Sequence, residues 1–326
     1  MGWKGFARAA SRAAVRQQRY LEKQQKMVAK MQETEKAAYE AQVYQNHIDL
    51  LLSVHKECGE TYDWANIKHS ELPAKPDHLH QHEADAKLNL SSLKIGLSDK
   101  LLGRGDAKKK LLLDAIEEAK KLDEKEYRDA LTLYQKEYGE LQTAKVLSTK
   151  ILAGDIAAYI EAIKMVDPFS DIIGLGSSYN INVDNKTMLT ATLHVNGENV
   201  LPTEARSLTK SGKLSIKPIP KNKFYEIYQD YVCGSSLRFA RELFALLPID
   251  MIIVNAIGSL LNKQTGHLED TPILSISIPR KTFDMLNFEN LDPSDSLNNF
   301  VHNMNFKKGK GFEPIDVLDL SAFKNT

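Results

Sequence analysis

Tyr179-Asn180-Ile181-Asn182-Val183-Asp184-Asn185-Lys186-Thr187-Met188-Leu189-Thr190-Ala191-Thr192-Leu193-His194-Val195 is where the chain changes its grammar. Apolar and polar residues alternate with period two on either side of Asp184-Asn185-Lys186, which predicts two strands joined by a turn. Downstream, Pro202, Gly212, Pro218 and Pro220 punctuate a polar segment. Asn222 then caps a predicted helix over 223–247, with Phe224, Ile227, Tyr231, Leu237, Ala240, Leu243 and Phe244 on its core side. Pro248 ends it. The apolar run Met251-Ile252-Ile253-Val254, the Thr265-Gly266 turn and Pro272 to Ile278 predict a second pair of strands, and Pro279 opens a short helix through Met285. The order strand, strand, helix, strand, strand, helix predicts hairpins rather than βαβ crossovers.

Upstream the apolar spacing is three and four throughout. One helix is expected from about Phe6 to Cys58, on the order of 75 Å long at 1.5 Å per residue, with Gly59 as its C-cap. A polar loop with Pro73, Pro76 and a histidine cluster follows, then a shorter helix over 84–102. Gly103-Arg104-Gly105 breaks it, and Asp106 is placed as the N-cap of a second long helix over 107–146. A last helix over 147–166 ends at Asp167-Pro168. The fold class expected is α+β. A long N-terminal antiparallel helical hairpin of coiled-coil character fills residues 1–168, and a compact α/β module with two β-hairpins and a long amphipathic helix fills 169–326.

The 326 residues are 42% hydrophobic and 26% charged, which excludes wholesale disorder. Two cysteines, Cys58 and Cys233, make no disulfide framework, and no apolar run reaches membrane-spanning length, so a cytoplasmic chain without a transmembrane segment is expected. The formal net charge of zero hides an asymmetry. Lys4, Arg8, Arg12, Arg16, Arg19, Lys23, Lys26 and Lys30 face only Glu22, a balance of +7. Residues 31–167 balance to −6 and the remainder to −1. The eight cations recur at intervals of three and four, one cationic helical face. It reads as a solvated face docked on the acidic remainder of the chain, as a polyanion contact to phosphates, as an interfacial helix anchored by Trp3 and Phe6, or as a transit peptide.

The run Phe224-Tyr225-Glu226-Ile227-Tyr228-Gln229-Asp230, with Leu237-Arg238 and Arg241-Glu242-Leu243-Phe244 after it, resembles an accessory α/β module found beside Mrr-type restriction endonuclease domains in bacterial proteins. Ile252 to Asn255, Thr265-Gly266, Ile273 to Ile276, Leu291-Asp292-Pro293 and Pro314-Ile315 to Leu320 continue the resemblance over about residues 184–320. The helical half resembles bacterial coiled-coil proteins that carry the same C-terminal module. The resemblance implies a component of DNA-linked or phage-defence assemblies. No Mrr nuclease domain follows Leu320, so cleavage chemistry is not carried over.

The chemical motifs are sparse. Asp184-x-Lys186 has the form of a metal-nuclease triplet, but it falls on a turn, where Asp-Asn-Lys is ordinary. His78, His80 and His82, with Asp77, Glu83 and Asp85 nearby, would face one way on an extended segment and could hold Zn²⁺ or Ni²⁺; solvated loop histidines are the expectation. Cys233-Gly234-Ser235-Ser236 echoes a papain-type segment, yet inside a helix its small residues suit close packing against the sheet. Gly174-Leu175-Gly176 precedes a strand and reads as a turn, and Arg238 with Arg241 reads as a salt-bridged pair that could also bind an anion. No catalytic residue, metal ligand or cofactor is therefore expected. The expected function is a non-enzymatic interaction or scaffold protein. A metal-dependent nuclease or phosphodiesterase in the C-terminal module, and a peripheral membrane protein, are the alternatives. The expected partners are a nucleic acid or anionic surface at the N-terminal helix, and a protein or second copy at the long helices.

Overall fold

In the computed structural model, residues 23, 33–94, 104–169 and 178–323 are described. The fold is mixed α+β. A six-stranded sheet has the order β1 (Ser178–Val183), β2 (Met188–His194), β5 (Met251–Leu261), β6 (Leu268–Pro279), β7 (Val301–Lys307), β8 (Gly311–Glu313). A separate hairpin pairs β3 (Glu204–Leu208) with β4 (Leu214–Pro218). Among the described residues no strand precedes Ser178.

Both predicted hairpins form. In β1–β2, Asn185 Oδ1 accepts from the N–H groups of Thr187 and Met188, so the turn closes on its own side chain. β5 and β6 pair antiparallel from Met251↔Pro279 to Leu261↔Leu268. The expectation of hairpins without a crossover is corrected where the two meet. β2 lies parallel to β5, in register from Met188↔Met251 to His194↔Ile257. Parallel neighbours need a long return connection, and β3, β4 and helix α6 (Lys221–Leu246) supply it. Ile252–Ala256 and Ile273–Ile278 are buried without interruption, the mark of strands covered on both faces.

α6 begins after Pro220, two residues earlier in the chain than a cap at Asn222 would place it. It is also not amphipathic through its centre. Residues 231–240 are all buried, because the segment after helix α1 (Glu33–Leu52) and the helix α8 (Pro293–Ser296) pack on the side away from the sheet. A Cβ on Gly234 would lie 3.0 Å from Val54 Cγ1, 3.5 Å from His55 Nδ1 and 3.6 Å from Pro293 Cγ. The small-residue run thus serves close packing, but against residues 54–55 and 293. α1 ends at Leu52, not at Cys58, and Gly59 is not its cap. The Gly59 N–H instead donates to the buried Glu242 carboxylate, which also pairs with Arg238 at 3.6 Å, and Arg238 reaches Glu57 at 2.8 Å.

Asp230 on the same helix is only partly exposed, and its Oδ1 has no hydrogen-bond partner. Burial pushes its carboxyl up to about 6, with Asp292 and Glu226 adding to the rise and Ser294 and Lys223 opposing it. The folded state therefore prefers the neutral acid. The penalty for ionising it is absent at low pH, grows as pH rises from the unfolded value near 4 to about 6, and is complete above that. Asp230→Asn should raise unfolding free energy by about 1 kcal/mol at pH 8, allowing for solvent screening of a part-exposed group, and leave it unchanged near pH 4. Urea titrations at the two pH values check this.

By compactness the described chain divides into two units, residues up to Trp64 together with those from Thr149 onward, and Ala65–Ser148. That division runs elsewhere than residue 168. α2 (Trp64–His69) falls within the stretch expected to be loop. α3 (Gln81–Ser91) and α4 (Arg104–Leu152) run antiparallel: His82 pairs with Glu126 and Glu83 with Lys120, and Asn89 comes near Glu118. These two helices, rather than the first long one, make the hairpin of this unit. α4 already includes Gly105 and Asp106, so Asp106 is a first-turn acid and not the cap. It also runs past Val146 to Leu152. There Gly154, at φ +79°, turns the chain, and a Cβ would stand 2.9 Å from Lys186 Cβ. Asp155 caps α5 (Ile156–Val166) through the N–H groups of Ala157 and Ala158, and Asp167 ends it in the left-handed region at φ 45°.

A candidate anion-binding cleft

The C-terminus of α6 leaves carbonyls without helical partners and a partial negative charge. Arg280, the first residue of α7 (Arg280–Phe283), answers both. Its Nε donates to Ile249 O at 2.6 Å, and its Nη2 donates to Leu247 O at 2.6 Å and Phe244 O at 3.0 Å. The guanidinium lies over the Phe244 ring, 4.5 Å from its centroid. One turn earlier on α6, Arg241 Nη1 donates to Lys56 O at 2.7 Å and His55 O at 3.2 Å, with its guanidinium 4.5 Å from the Phe288 ring centroid. Lys56 Nζ is held by Glu289 O at 2.8 Å.

These three cations line one cleft of about 520 Å³. Cys58, Gly59, Thr61, Phe283, Leu286 and Phe288 also line it, and Asp284 is the one acid of the lining. Each guanidinium is thus fixed by backbone carbonyls, and a guanidinium already held in place receives a carboxylate or phosphate with little ordering cost. Burial lowers the pKa of Arg280, while Asp284 and Asp250 oppose that shift; a guanidinium stays charged regardless. Burial, and then Glu242, push the Cys58 thiol up to about 11, so at neutral pH it is a thiol and not a nucleophilic thiolate. His55 is 1% exposed with both ring nitrogens unpartnered; burial lowers its pKa, Lys56 and Arg241 add to the fall, and Asp292 and Glu289 oppose it.

Of the residues singled out in the sequence, Arg238 and Arg241 separate. Arg238 is buried in its carboxylate pairs, whereas Arg241 lines the cleft. Lys23 is exposed; Lys4, Arg8, Arg12, Arg16, Arg19, Lys26 and Lys30 lie outside the described residues, as do Gly174 and Gly176. Asp184 is turn chemistry: its oxygens accept from Asn182 Nδ2 at 2.8 Å and Thr190 Oγ1 at 2.7 Å, and Lys186 O accepts from the Tyr159 hydroxyl. Cys233 is fully buried, and burial raises its thiol well above the ordinary range. The three histidines do not share one centre. Each meets a different carboxylate: His78 with Glu124 at 3.6 Å, His80 with Glu83 at 3.6 Å, and His82 with Glu126 at 3.2 Å.

Sequence reasoning missed Lys56 and Arg280. The signal for Arg280 was a cation placed just after the apolar run Ile273–Ile278, where a buried guanidinium must find carbonyls. Lys56 carried none. Among the described residues no helix is long and apolar enough to cross a membrane. No family model matches this chain, and neither a curated protein nor a solved structure matches it.

Proposed function

We propose that this is a cytoplasmic, non-enzymatic interaction protein that holds a nucleic acid through its phosphates. The observation that carries the reading is the cleft of Lys56, Arg241 and Arg280, in which two guanidiniums are already fixed by backbone carbonyls. Its lining binds charge and offers no thiolate at neutral pH. The basic run from Lys4 to Lys30 supplies a second, sequence-independent phosphate contact. The resemblance of residues 184–320 to the Mrr-associated module supports a DNA-linked setting. Leu111, Leu122 and Leu133 recur every eleven residues along α4 and are 70%, 42% and 52% exposed, which supports a protein partner at that helix as well.

Fluorescence anisotropy with labelled duplex and single-stranded oligonucleotides tests the proposal. With about five phosphates contacted, log K should fall against log salt with a slope of about −4 to −5, without base preference. Lys56→Glu should weaken binding, and charge reversal at Arg12, Arg16 and Arg19 should weaken it and flatten the slope together. Absence of binding to DNA and RNA at about 50 mM salt, where phosphate contacts are strongest, overturns the reading.

A further inference from the structure

We propose that His82, Asp123 and Glu126 form a binding site for a divalent transition-metal ion, Zn²⁺ first, that ties α3 to α4. Asp123 and Glu126 stand three residues apart on α4 and so share a face. The antiparallel α3 brings His82 to that face. One donor atom from each residue lies within 4.8 Å of the other two. Ligand atoms about 2.0–2.2 Å from one ion are separated by less than this, so closure needs only small side-chain adjustments. Glu126, whose side chain is 62% exposed, has the freedom to make them.

The site is built and not merely crowded. Asp123 is 3% exposed, covered by the first residues of α3. Its Oδ1 accepts from the His82 N–H at 3.1 Å and its Oδ2 from the Glu83 N–H at 2.9 Å. It thereby caps α3 from the neighbouring helix, since His80 at the N-cap position makes no side-chain cap bond. Each oxygen keeps a second lone pair, and the two N–H groups orient the carboxylate as outer-shell donors orient metal ligands. His82 Nε2 and Glu126 Oε1 already lie 3.2 Å apart, and an ion between them would replace that contact.

Charge favours a cation here. The nearby Lys87 and Lys120 are engaged by Glu83 and Glu117, which leaves the Asp123 and Glu126 carboxylates beside the His82 ring. One imidazole and two carboxylates from facing helices form a set that takes Zn²⁺ and leaves a coordination position open. Their sequence separation is about forty residues, so an ion there closes a long loop and stabilises the hairpin.

The test is titration of the full chain with ZnCl₂ by calorimetry, paralleled by Co²⁺ absorption spectra, which report inner-sphere ligation. One site is expected. His82→Ala and Glu126→Gln should each weaken it by roughly tenfold or more. His78→Ala and His194→Ala should leave it in place, because His78 serves Glu124 and His194 lies at Asp270. Both altered positions are substantially exposed, and circular dichroism confirms that the variants keep their helix content. The assignment is overturned if the chain takes up no Zn²⁺ at millimolar concentration. It is equally overturned if uptake is unchanged in both His82→Ala and Glu126→Gln, or is lost in His78→Ala alone.

Discussion

Replacing Arg280 with alanine should lower the unfolding free energy by about 3 kcal/mol, read from urea denaturation at neutral pH. The side chain gives hydrogen bonds to three carbonyls, Phe244, Leu247 and Ile249. Bonds from a charged donor contribute about 1.5–3 kcal/mol each, but the cleft admits water to part of what is uncovered, so the full sum is not lost. The favourable placement of a cation at the end of α6 goes too, as does its contact with the Phe244 ring. Arg280→Lys should recover less than half, because an ammonium is a point charge without the planar fork that reaches three carbonyls at once. A loss below about 1 kcal/mol for alanine would mean that water replaces the guanidinium almost completely, and that the cleft is not held in shape by it. Because Arg280 is structural as well as exposed to the cleft, Lys56 is the position at which binding is tested cleanly.

Phe239→Ala should cost more, about 4 kcal/mol, the range of a large aromatic removed from a packed core. Phe239 is fully buried, stacked on Phe169 with ring centroids 4.0 Å apart and an interplanar angle of 14°. Tyr179 meets both rings, at 5.6 Å from Phe239 and 4.7 Å from Phe169. One side chain therefore joins α6, the end of α5 and the edge strand β1. Such aromatic pairs add about 0.5–1.5 kcal/mol to the burial itself. Phe239→Leu keeps most of the volume and should cost less than half as much. If alanine and leucine prove equal, the stack contributes nothing beyond filled space. Near-ultraviolet circular dichroism follows the loss of the aromatic cluster separately from global unfolding.

Phe239 also shows where sequence reading stops. Helix α6 is read as amphipathic, with Phe224, Ile227, Tyr231, Leu237, Ala240, Leu243 and Phe244 on its inner side; Phe224 is half-buried and the other six are buried. Phe239 falls off that stripe. A stripe identifies the side that faces a sheet; it does not report that Val54, His55 and Pro293 cover the other side, since those residues come from distant parts of the chain. The same limit explains the cleft. Arg241 was singled out, but a cationic site assembled from 56, 241 and 280 has no spacing for a motif to reveal.

What the sequence by itself determined is local. The β1–β2 and β5–β6 hairpins follow from period-two alternation around Asp184-Asn185-Lys186 and Thr265-Gly266, because turn residues act over two to four positions. Pro248 and Asp167-Pro168 end their helices where backbone chemistry requires, since a proline ring excludes continuation. Only the tertiary structure decided that β2 lies parallel to β5, that Asp123 caps α3, that Gly59 bonds Glu242 rather than closing α1, and that the long helix α4 pairs with α3. Each of these satisfies a polar group or covers an apolar face with a partner remote in the chain. Burial and hydrogen bonding reward any partner of suitable chemistry, so only the packed fold selects which one is met.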